Sequence, residues 1–97
     1  DTLLVWDDLY PIIDAVYDNF HTHLVRLSDG RLLEKEIQLC CLLCAGFSTK
    51  EISGVTQQSV RTIYQRKTDI RHKLGMDEKE DIIGNISART ANINFSL

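Results

Sequence analysis

An all-α fold is predicted by three features of the sequence. Apolar residues recur at intervals of three and four, as Ile13, Val16, Phe20, Leu24 and Leu27 do, which is the period of a helix with one buried stripe. Helix-start chemistry precedes the apolar runs: Ser48 stands three residues before Glu51, Ser59 opens another run, and Asp77 stands three before Glu80. Helix-stop chemistry follows them, at "SDG" (28–30), Gly46 and Gly75. The 97 residues, 43% hydrophobic with one Pro and five Gly, have ordinary globular composition and room for a single core.

Taken in order, the first helix is expected from "DDLYPII". Asp7 and Asp8 suit the positive end of the helix dipole, and Pro11 falls in a first turn that needs no amide hydrogen from it. Its stripe runs unbroken to Leu27. A second helix over 33–45 is so apolar that both its sides need cover, and Gly46 suits the left-handed residue that ends it. Ser48 and Glu51 form a capping box for a short third helix. Gly54 weakens that helix by about 1 kcal/mol relative to Ala, and "TQQS" (56–59) ends it. Ser59 caps a fourth helix that reaches Leu74. The last helix is expected to open at Asp77 and to carry Ile82, Ile83 and Ile86, after which "SARTANINFSL" shows little periodicity and reads as a loosely held tail. The division expected is therefore an N-terminal amphipathic extension (1–30), a helical domain (31–87) and a C-terminal tail (88–97).

No apolar run reaches the length of a membrane span and no signal-peptide pattern opens the chain, so the expectation is a cytoplasmic protein without a membrane partner. The sequence starts at Asp1 and enters an amphipathic pattern at once, which reads as part of a longer protein with a sensory or regulatory segment upstream. Cys40, Cys41 and Cys44 are too few and too close for a disulfide framework. Cys41 and Cys44 do make a CxxC, and His21 and His23 are further candidate zinc ligands. Within "EIQLCCLLCAG", however, no turn offers the convergence a tetrahedral site needs, and the cysteines read as small core residues, not as ligands. Neither a metal nor any other cofactor is expected.

Charge is unevenly placed. The chain carries −3 overall, yet residues 59–75 hold Arg61, Arg66, Lys67, Arg71 and Lys73 against the single acid Asp69, while residues 1–30 hold six Asp and one Arg. On a helical wheel Ile63, Lys67, Ile70 and Leu74 share the inner side of the fourth helix; Arg61, Gln65, Thr68 and His72 share the outer side, with Tyr64 on its shoulder. Arg pairs with guanine and Gln with adenine through two hydrogen bonds each. A short helix, a tight turn and a longer helix with such a face is the helix-turn-helix arrangement, which sets the second helix in the major groove of DNA. The alternative is an ordinary solvated face on a charged helix.

The stretch from Leu32 to Met76 resembles, without a gap, the LuxR-type (GerE-type) helix-turn-helix domain. The residues that carry the resemblance are Leu32, Glu36, Leu42 and Leu43, "AGFS" (45–48) with "KEI" (50–52), Ser59, Thr62, Ile63, Ile70 and "KLG" (73–75). "YDNFHTHL" leading into "EIQLCCLL" is further similar to versions at the C-terminal end of larger Bacteroidetes regulators. The resemblance implies a four-helix DNA-binding bundle whose third helix, here 59–74, enters the major groove. It implies base contacts at Tyr64, Gln65 and Thr68, phosphate contacts at Lys50, Thr62 and Arg66, and a homodimer formed through the last helix. Thr56 and Gln57 stand where the family has Leu and Gly, and Tyr64 where it usually has Lys; with Gly54, these depart from the pattern and bear on turn geometry and affinity.

The sequence-level expectation is thus a helix-turn-helix bundle of three or four helices with an additional N-terminal helix, binding double-stranded DNA. Arg61, Tyr64, Gln65 and Thr68 are the candidate base contacts, and Lys50, Ser59, Thr62, Arg66, Arg71, His72 and Lys73 the candidate phosphate contacts. No nucleophile, base and orienting group stand at a spacing that suggests catalysis. The competing reading is a protein-interaction module with the same fold, and Trp6, Tyr10, Tyr17 and Phe20 form either a docking stripe or core.

Overall fold

Apolar periodicity and capping residues resolve into six helices in the computed structural model, which describes the backbone of residues 5–95 and the side chains of 5–90. They are α1 (Trp6–Val16), α2 (Phe20–Ser28), α3 (Glu34–Cys44), α4 (Thr49–Thr56), α5 (Val60–Lys73) and α6 (Ile82–Phe95). No strand occurs among the described residues, so the chain is all-α as the sequence predicts. None of these helices is long and apolar enough to cross a membrane.

The single N-terminal helix expected from the apolar stripe is instead two. Asp18 and Asn19 adopt left-handed backbone, with φ of 55° and 61°, which short polar side chains tolerate better than most. Asp14 does much of the work at this elbow. Its carbonyl accepts from the Asn19 N–H at 2.8 Å, closing α1. Its carboxylate accepts from the Thr22 N–H at 3.0 Å and the Thr22 hydroxyl at 2.7 Å, opening α2. Asn19, the nominal cap of α2, makes no side-chain cap bond. Val16 consequently leaves the stripe and is exposed, while Ile13, Phe20 and Leu24 stay buried. Pro11 is the sixth residue of α1, which begins at Trp6, and so lies inside the helix and not in the first turn expected for it. Its missing N–H thus falls beyond the first turn, where the backbone loses a bond.

Packing centres on α3, which meets α1, α2, α5 and α6. Ile37, Leu39, Cys40, Cys41 and Leu42 are buried on several of its sides, as an almost uniformly apolar helix requires. They share one core with Ile13, Phe20 and Leu24 from the N-terminal helices and with Ile52, Ile63, Ile70, Ile82 and Ile86 from the rest. At the start of α3 the Glu36 carboxylate accepts from the Leu33 N–H at 2.7 Å. Leu33 has no side-chain acceptor to return the bond, so this is half of a capping box.

Farther along, the last helix starts later than expected. Asp77 and Glu80 do meet, through the Asp77 N–H and Glu80 Oε1 at 3.2 Å, but residues 78–80 form a turn and bend. The cap of α6 is Asp81, whose carboxylate accepts from the Gly84 N–H at 2.7 Å. That helix then runs to Phe95, so most of the segment expected as a tail is helical; residues 96 and 97 of the expected tail lie outside the described residues.

Candidate nucleic-acid interface

Ser48 and Glu51 complete a reciprocal capping box, with Ser48 N–H to Glu51 Oε1 at 2.8 Å and Glu51 N–H to Ser48 Oγ at 3.1 Å. The Ser48 N–H, with the Ser48 hydroxyl beside it, holds the Glu51 carboxyl below its ordinary range, because both favour its charged form. They set the start of α4. A three-residue turn, 57–59, follows. Gln57 takes the left-handed conformation there, φ 57°, where glycine would be less strained. The turn is tied by Ser53 Oγ, which donates to the Gln58 carbonyl at 2.5 Å. Ser59 then caps α5: its Oγ accepts from the Thr62 N–H at 3.1 Å and donates to Thr62 Oγ1 at 2.9 Å.

From that fixed start, Ile63, Ile70 and Leu74 are buried and seat α5 on the core. Arg61, Tyr64, Gln65, Thr68 and His72 are exposed. All four candidate base-reading side chains therefore share the solvent side of one helix. Gln65 Nε2 donates to Asp69 Oδ1 at 3.0 Å, and Thr68 Oγ1 donates to the Tyr64 carbonyl at 3.2 Å. Neither contact is buried, so either can exchange for an outside partner at small cost. Lys67 is half-buried, and its ammonium reaches over the Tyr64 ring, 5.6 Å from the centroid, so its stem lines the inner side while its charge stays near the outer one.

The candidate phosphate contacts divide. Lys50 and His72 are exposed, and Ser59 and Thr62 lie at the cap of α5. Arg66 is half-buried, and its Nε is buried without a partner among the described residues. Two others are engaged inside the fold. Lys73 Nζ lies 2.8 and 3.0 Å from the two Glu36 oxygens, joining α5 to α3. Arg71 Nε donates to the Glu80 carbonyl at 2.9 Å and fastens the connection into α6. Comparisons with protein-family models, curated proteins and solved structures give no match. The site is therefore argued from its own geometry.

Two hollows flank the pair of helices. One, of about 820 Å³, lies between Trp6, Lys35, Leu39, Ile52, Val55 and the turn at Gln57. The other, of about 740 Å³, is bounded by Thr68, Arg71, His72, Glu78 and Lys79 at the far end of α5. The sequence places Lys79 in the first turn of the last helix; the turn at 78–80 instead brings it beside the basic helix. Among the described residues, no three His, Cys, Asp or Glu side chains are grouped as metal ligands. Cys40 and Cys41 are buried and Cys44 half-buried in α3. The aromatic residues at the other end also divide: Phe20 is core, Tyr17 is exposed, and Trp6 and Tyr10 pack partly against the core. Tyr10 stacks on His21 with ring centroids 3.8 Å apart, and its hydroxyl donates to Glu34. Burial, with the adjacent Glu34 carboxylate, raises the Tyr10 phenol well above its ordinary value.

Proposed function

We propose that the chain is a sequence-specific DNA-binding domain of a transcriptional regulator, with α5 entering the major groove. The observation that carries this reading is the exposed row of Arg61, Tyr64, Gln65 and Thr68 on a helix seated from behind and preceded by a short helix and a tight turn. The resemblance of residues 32–76 to LuxR-type domains supports it, as does the excess of positive charge over 59–75. In this reading Arg61 addresses guanine, and Gln65 turns from Asp69 to adenine. Lys50, Ser59, Thr62, Arg66 and His72 position the duplex through its phosphates. Lys73 contributes to the fold in place of the contact, since its ammonium is held by Glu36. Two copies, joined through α6, address two half-sites under the control of an upstream segment.

Selection of bound sites from a random duplex pool tests the proposal. An enriched motif is expected, with Arg61→Ala or Gln65→Ala losing about 1–3 kcal/mol of discrimination at the base each one reads. The second reading, a protein-docking module, is favoured by the exposed apolar side chains Val55, Val60 and Tyr64 around the turn. It predicts no enriched motif, and no effect of either substitution on DNA beyond the salt dependence of general charge attraction.

A further inference from the structure

We infer that Asp69 is a further specificity-determining residue on α5, accepting from cytosine and rejecting guanine and thymine by its charge; this rests on the DNA-binding reading above. Asp69 is the single acid in 59–75, against five Lys and Arg, yet it joins no salt bridge among the described residues. Its one hydrogen bond there comes from Gln65, whose Nε2 donates to Oδ1 at 3.0 Å. Lys73, one turn farther on, is held by Glu36 at 2.8 Å instead. The carboxylate is therefore half-buried at the flank of the reading row and answered only by a side chain that is itself exposed.

When Gln65 turns to adenine, Asp69 loses its donor and is left beside it with a full negative charge. Residues four apart on a helix are neighbours one turn apart, so Asp69 faces the step along the groove next to the base that Gln65 reads. An ionised carboxylate only accepts hydrogen bonds. In the major groove cytosine presents an amino donor alone, adenine a donor beside an acceptor, and guanine and thymine acceptors. Cytosine on the strand that Asp69 faces thus replaces the donor that Gln65 withdrew. Guanine or thymine there would set acceptor against acceptor and leave the charge unpaired. Discrimination at this position comes from rejection more than attraction, which gives an acid a use on a helix whose other charges draw in DNA.

Site selection and binding titrations with the full chain and its Asp69→Asn variant test this. Asn keeps the shape and can still accept from Gln65, but carries no charge. The wild type is expected to select cytosine next to the adenine whose preference Gln65→Ala removes. D69N is expected to bind that motif about as well, and to bind sites with guanine or thymine at the cytosine position roughly tenfold better than the wild type does. A merely structural role would lower affinity for every site alike, and that result would overturn the proposal. An intact motif with the same preference at every position in D69N would overturn it too, while leaving the DNA-binding reading in place. Absence of any motif from the wild-type selection would instead remove both. Circular dichroism establishes that D69N is folded. Should it not fold, the wild-type selection decides alone, since a motif without cytosine beside that adenine contradicts the role given to Asp69.

Discussion

Glu36 and Asp14 show how much a single carboxylate can hold. Glu36 is buried and answered by two donors, the Leu33 N–H and the Lys73 ammonium. Removing only the ammonium leaves a buried charge short of a partner, which costs more than the pair contributes when intact. Lys73→Met is therefore expected to destabilise the chain by about 3 kcal/mol, the low end for a buried pair because Lys73 is itself partly exposed. Urea unfolding measures this, and E36Q/K73M should lose less than K73M alone. At Asp14, partial burial pushes the carboxyl up, but the bonds from Thr22 outweigh it and hold the group below its ordinary 3.8. A group depressed in the folded state contributes stability above its unfolded value and loses it as the pH falls through the folded one. Asp14→Ala should cost about 1 kcal/mol at neutral pH, as loss of a cap does. That deficit should shrink as the pH is lowered from 3.8, when unfolding of the two chains is compared across the acid range.

Within α3, position decides chemistry among three cysteines in five residues. Burial, with Cys44 beside it, pushes the Cys41 thiol up to about 12. Burial takes Cys40 higher still and raises half-buried Cys44 as well. Since thiolate and access are both needed for alkylation, iodoacetamide at mildly alkaline pH should label the native chain at Cys44 alone, and all three cysteines in urea. Mass spectrometry reads the count; native labelling at Cys40 or Cys41 would mean that α3 opens. The elements around α3 were readable because each carries local punctuation: Ser48 with Glu51, Ser59, Gly46 and Gly75 act within a few residues of themselves. The α1–α2 elbow was not, because its cap comes from Asp14, eight residues before Thr22, and the apolar stripe stays in phase across the break. The start of α6 misled for the opposite reason. Asp77 and Glu80 form the contact of a capping box without a helix following them, and Asp81 caps instead.

At the scale of the molecule, one core spans the N-terminal helices and the α3–α6 region. Leu24 is fully buried on α2, and α2 packs on α1, α3 and α6. Leu24→Ala is expected to cost about 3 kcal/mol and to lower the midpoint of a single unfolding transition. Two separate transitions by calorimetry would show instead that residues 1–30 fold apart from the rest. The fold class and the outer face of α5 could be read from periodicity, because both are properties of one segment at a time. What no periodicity carries is which cations the fold spends on itself: Lys73 and Arg71 look like their neighbours in sequence, and only α3 and the turn before α6 distinguish them. The same applies to length. Because Asp14 ends one helix with its carbonyl and begins the next with its carboxylate, the seven residues between it and Thr22 act as a ruler. Surface turns ordinarily accept insertions, but one residue added or deleted here would part the carboxylate from the helix it starts.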